Sequence, residues 1–169
     1  MKKLLTAIAL SLFACGGKPQ QLPPTSPPVV SAEKFKVVKG PNWSFKVPSS
    51  YKNISKDGRH TYASPRNDVV ITYDVDALSG PLDEYVLASL SAAKEMYPGT
   101  EVLTVKEGEI SGHHSLVALL AKGELVLINF FVENDKEVHL FMCGGSMSVQ
   151  NPKTIVSKCV DVAKTLEIK

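Results

Sequence analysis

From Phe35 onward the chain alternates apolar and polar residues with a period of two. Phe35-Lys-Val-Val-Lys39 and Trp43-Ser-Phe-Lys-Val47 read as two half-buried strands, joined by a turn at Gly40-Pro41-Asn42. His60-Thr-Tyr-Ala63 predicts a short strand, and Asp68–Ala77 a longer one (DVVITYDVDA). The period then changes. Leu82, Tyr85, Val86, Leu90, Ala93 and Tyr97 recur at helical spacing and predict one helix with a single apolar stripe. Ser79 or Gly80 is placed to cap it, Pro81 suits its first turn, Asp83 and Glu84 complement its dipole, and Pro98-Gly99 ends it. Four strands follow, at Glu101–Glu109, His113–Ala121, Glu124–Glu133 and Lys136–Cys143. Ser111-Gly112, Lys122-Gly123 and Asn134-Asp135 are hairpin turns between them, too short for anything but antiparallel neighbours. Asn151-Pro152 predicts a capped second helix, with Ile155, Cys159, Val162, Ala163 and Leu166 on its inner face. Glu167–Lys169 closes as an extended piece. The expected class is α+β, an antiparallel sheet covered by helices.

The first 33 residues follow other rules. Lys2 and Lys3 precede an apolar run, Leu4–Ala14, too short for a ~30 Å hydrocarbon core. A signal peptide over 1–14 fits this pattern. Leu12-Phe13-Ala14-Cys15 resembles the lipobox of bacterial lipoproteins. That resemblance implies a diacylglycerol on the Cys15 thiol, cleavage before Cys15 and an N-acyl group on its amine. Two or more acyl chains anchor a protein stably where one does not. Gly16, in place of aspartate, leans by the same resemblance toward the outer membrane over the inner. Residues 15–33 then form a lipidated linker in which five of the eighteen residues after Cys15 are proline. An extended polyproline-type tether of this length reaches up to about 50 Å. Residues 34–169 remain as the folded domain, enough for one core.

Charge changes the picture once the first fourteen residues are set aside. Nineteen basic residues less Lys2 and Lys3 leave seventeen, matched by seventeen acids. A neutral chain argues against nucleic-acid partners and against a polybasic membrane-surface role. With Cys15 lipidated, Cys143 and Cys159 remain as a pair in an exported chain. They read as a disulfide stabilising by roughly 3 kcal/mol, or else as two buried free thiols. Cys159 points toward the sheet, where Cys143 at a strand end could meet it. Two cysteines without further ligands do not make a metal site.

Trp43-Ser-Phe-Lys-Val-Pro-Ser-Ser-Tyr51, an aromatic-x-apolar-x-Val-Pro-x-x-aromatic run, resembles the opening of PsbP-like domains and of related DcrB-type bacterial lipoproteins. Tyr62-Ala-Ser-Pro65, the mid-chain helix, the strand meander and the final helix follow in the order those domains use. The resemblance spans residues 35–169. It implies an αβα sandwich and a role in assisting or binding other proteins, and it carries over no catalytic residue.

Candidate chemistry is sparse. His113 and His114 are adjacent on a strand, so they point to opposite faces and cannot share a metal without a bulge. His60 and His139 are uncommitted. Asp74 and Asp76 share a strand face and could bind a hard cation or act as acid and base, although a solvated sheet face explains them as well. Cys143-Gly-Gly-Ser-Met-Ser148 is no nucleophile elbow, and its glycines read as a flexible connection to the second helix. No catalytic residue, metal site or cofactor beyond the lipid on Cys15 is expected. The chain therefore reads as a non-enzymatic cell-envelope lipoprotein, held to the membrane by lipid and binding an envelope protein. The alternative is a small-ligand or metal-binding periplasmic module, which could be hydrolytic, built on the histidines and the Asp74/Asp76 pair.

Overall fold

The computed structural model describes residues 33–56 and 58–169. The signal peptide, Cys15 and the linker up to Ala32 lie outside the described residues. Residues 33–169 form one compact unit that carries its own core and disulfide.

The strands expected from alternation are present: β1 (Phe35–Lys39), β2 (Trp43–Pro48), a two-residue β3 (Lys52–Asn53), β4 (His60–Ala63) and β5 (Val69–Ala77). Helix α1 (Leu82–Met96) leads to the meander β6 (Glu101–Ile110), β7 (His113–Lys122), β8 (Leu125–Asn134) and β9 (Glu137–Ser146). Helix α2 (Pro152–Ala163) and β10 (Glu167–Ile168) follow. The β6–β7 hairpin turns on Ser111 and Gly112, at φ 55° and 82°. Two successive positive φ values are what a two-residue turn needs to match strand twist.

Two antiparallel sheets result. The larger has the order β3-β4-β5-β9-β8-β7-β6, and the smaller has the order β1-β2-β10. The meander folds back so that β9 pairs along its length with β5, placing Tyr73 opposite Phe141 and Ile71 opposite Cys143. β9 is thus central, with β8 on its other side.

Side-chain parity divides the large sheet into two faces. Helix α1 buries Leu82, Val86 and Leu90, four residues apart, against Leu116, Ala118, Leu120, Phe131 and Val138. Helix α2 and the inner face of the small sheet (Val38, Trp43, Phe45, Val47) cover the opposite parity, including Tyr73, Ile128, Phe130 and Phe141. The α+β class and antiparallel order hold, but helices alone do not sandwich the sheet, because α2 shares its face with a second sheet. Cys143 and Cys159 are bonded within this core, with Cα atoms 5.6 Å apart.

Three local expectations are corrected. Neither Ser79 nor Gly80 caps α1; Pro81 occupies that position with no side-chain cap bond. Tyr97 lies beyond the stripe, 57% exposed. Gly144 and Gly145 are not a flexible connection but interior residues of β9, paired on both sides. A Cβ on Gly145 would lie 2.1 Å from the Asp68 carbonyl oxygen, and one on Gly144 2.5 Å from that of Val126. The second helix is capped as expected, with the Asn151 side chain accepting from the Lys153 N–H.

Candidate functional site

The residues singled out in the sequence do not converge. His113 and His114 do face opposite ways. His114 Nδ1 lies 3.2 Å from Glu133 Oε2 on the α1 side, an exposed pair. Asp74 and Asp76 share that side, but β8 and β9 separate them from β7. Asp74 accepts from Arg59 Nε at 2.9 Å, and Asp76 accepts from the Tyr85 hydroxyl at 3.0 Å. Burial first, then the bond to Asp76, pushes the Tyr85 phenol up to about 12. The pair is an edge of the sheet tied to its neighbours. Ser146 and Ser148 hydrogen-bond to one another at 2.6 Å. Among the described residues, no three His, Cys, Asp or Glu side chains are arranged to hold a metal ion.

His60 and His139 went unassigned in the sequence, and both belong to the aromatic core. The His60 ring packs edge-on against Trp43 at 4.9 Å. His139 is fully buried, with Nδ1 2.6 Å from the Tyr73 hydroxyl. Burial raises the Tyr73 pKa, so the phenol stays protonated and donates to Nδ1. The ring proton then sits on Nε2, which has no hydrogen-bond partner; Glu137 Oε2 is 3.8 Å away. Burial holds the His139 pKa below its ordinary value, against the opposing pull of Glu137. The sealed pair has no path to a substrate, but it sets a pH dependence.

A histidine whose folded pKa is depressed binds fewer protons folded than unfolded. Its contribution is intact above the ordinary histidine pKa and is lost as pH falls from there through the folded value. Asp68, lowered chiefly by the Ser64 hydroxyl and then, against burial, by Gln150, begins to lose its contribution only once pH falls into the ordinary carboxylate range. Urea titrations are therefore expected to show stability falling from about pH 6.5 downward. His139→Leu should lower stability at neutral pH yet flatten that slope. An unchanged slope in the variant would assign it elsewhere.

The feature with binding capacity is on the α1 side of the large sheet. Helix α1 covers the half over β7 and β8 that carries Leu116, Ala118 and Phe131, and leaves the other half bare. Cross-strand register puts Leu127 opposite Gly144, Gly144 opposite Val70, and Met142 opposite Thr72. These residues and Leu125 line a concavity of about 260 Å³. Leu125 is 44% exposed and Leu127 37%. Gly144 supplies its floor, for Leu127 leans over the place where a Cβ would stand. The rim residues Asn67 and Ser146 are polar and uncharged. The sequence carries this signal in Leu125, Leu127 and the two glycines, but alternation and glycine content alone predict a strand and a connection there, not one surface.

No family model and no curated relative matches the chain. Among solved structures, the solution structure of cyanobacterial PsbP (CyanoP) from Synechocystis sp. PCC 6803 superposes with a TM-score of 0.66 at 11% identity. The match covers 85% of this chain and 98% of that one. PA94, a Pseudomonas aeruginosa protein of unknown function, aligns at 15% identity over 73% of this chain and 92% of that one, with a TM-score of 0.42. The Trp43–Tyr51 resemblance and the CyanoP superposition meet on one architecture, and residues 33–169 have the PsbP-like fold.

Proposed function

We propose that the chain is a cell-envelope lipoprotein whose folded domain has no catalytic role and acts as an accessory, docking another envelope protein on the bare half of its large sheet. The observation that carries this reading is the uncharged apolar concavity over Val70, Leu125, Leu127 and Met142. A contiguous exposed apolar surface on a small domain marks an interaction site. Its lining and rim are uncharged, so the fitting partner presents a neutral apolar ridge, not an acidic or basic one. The methionine in its lining adapts to such a surface at little cost. The lipobox-like Leu12–Cys15 run supports the anchor, and Gly16 supports the outer membrane as its destination.

The test is crosslinking in the native host. A photoreactive residue in place of Leu125 is expected to trap one envelope protein. The same residue in place of exposed Lys94 should trap none. Leu127→Asp should abolish the adduct while leaving the melting temperature within about 2 °C, because surface changes stay within ~0.5 kcal/mol. Equal capture from both positions, or capture indifferent to Leu127→Asp, would overturn the docking site. Mass spectrometry of the mature chain tests the anchor separately, by an acylated Cys15 at its amino terminus.

A further inference from the structure

We infer that the outer face of the small sheet rests on an anionic lipid surface. The alternation that buries Val38, Phe45 and Val47 turns the opposite residues of β1 and β2 outward. Phe35 and Val37 are 47% and 51% exposed there. Lys46 stands opposite Val37, Lys39 opposite Ser44, and Ser44 also faces Glu167 of β10. Lys39, Lys46 and Lys169 border a shallow cleft of about 250 Å³ beside Trp43. The carboxylate lining that cleft, Glu167, is engaged by the Ser44 hydroxyl at 3.0 Å. The neutral overall balance therefore hides a local basic surface with two bare apolar side chains in it. That pairing of basic heads with an aromatic insert is what an anionic bilayer interface attracts.

Position on the chain selects the occupant. β1 begins two residues after Glu33, where the segment from Cys15 ends. In a chain held by lipid at Cys15, β1 is the strand nearest the anchor along the sequence. This step rests on the anchor proposed above. The same face is unsuited to a second copy of the chain, since lysines would meet lysines. It also points away from the large sheet, whereas the Leu125–Leu127 concavity opens on that sheet's far side. One domain can thus touch lipid and partner at once. Tethering keeps the domain at high local concentration, so even a weak face remains occupied.

The unit 33–169, which carries the whole described core and no anchor, supplies the test. It is expected to float with phosphatidylcholine vesicles containing phosphatidylglycerol, not with phosphatidylcholine alone, and to be released by salt. Each lysine neutralised near the surface lowers partition about fivefold, so Lys39→Gln with Lys46→Gln should cost about 25-fold. Phe35→Ser should weaken binding with no change in melting temperature. Lys94→Gln with Lys122→Gln, on the opposite side, should leave partition unchanged. Absent binding, equal binding to neutral vesicles, or an equal loss in the control pair would overturn the inference. So would Lys39- and Lys46-dependent self-association in sedimentation without vesicles, which would make the face a contact between copies. None of these outcomes depends on lipidation of Cys15, so failure here and failure of the anchor are told apart.

Discussion

Phe45→Ala is expected to destabilise the domain by about 4 kcal/mol, the range for deleting a buried phenylalanine. The ring has no exposed surface. It belongs to the small sheet, yet its partners Tyr62, Tyr73 and Phe141 belong to three strands of the large one, with ring centroids 6.3, 4.9 and 5.2 Å away. Trp43, its neighbour on β2, stacks on it at 5.7 Å and tilts against Tyr73 at 4.4 Å. Phe45 therefore fixes one sheet to the other, and no side chain nearby can move into its place without abandoning the large sheet. For a domain of this size the loss corresponds to a fall of roughly 14 °C in melting temperature. Phe35→Ala, on the outer face of β1, should move it by less than about 2 °C. Calorimetry on the two variants checks both. Equal falls would mean that the sheets are not held together through Phe45.

Reduction of Cys143–Cys159 is expected to cost about 3 kcal/mol, or roughly 10 °C. The bond closes a short loop, with the cysteines 16 residues apart in sequence. It joins the central strand β9 to α2, the helix that shares a face with the small sheet. Both cysteines are buried, 2% and 0% exposed, so a thiol reductant reaches the sulfurs only when α2 lifts from β9. Two observables follow. Oxidised protein should resist reductant under native conditions and lose the bond quickly in urea. Reduced protein should melt lower, with its thiols still packed in the core. A melting temperature indifferent to reduction would show that the covalent link adds nothing to the packing of α2.

How much of this was legible depended on whether an element has one wet face. β1, β2 and β5 alternate cleanly, and so do the apolar stripes of the two helices, so these were readable. Hairpin turns left no choice but an antiparallel meander. The disulfide was readable because β9 and α2 each had to point one cysteine inward. β9 itself was harder. It is apolar on both faces, so its run Val138-His-Leu-Phe-Met-Cys143 has no polar face to reveal that His139 lies inside beside Tyr73. The pairing of β5 with β9 spans α1 and three strands, and no local signal encodes it. Gly144 and Gly145 suggest a flexible connection because glycine permits one. Their real cause is the close approach of the Val126 and Asp68 carbonyls, visible only after the strands are paired. The bare half of the sheet was illegible for a related reason. Leu125 and Leu127 alternate like core residues, and only the length and position of α1 decide that they stay uncovered.

A two-residue element has the largest reach. β10 adds only Glu167 and Ile168, yet they lie beside Ser44 and Trp43, near the other end of the domain, and the Lys169 N–H reaches the Asn42 carbonyl. A chain made amino terminus first presents β2 long before its second neighbour exists. Completion of the small sheet must therefore wait for β10, so β2 keeps one edge unpaired through most of the domain's synthesis.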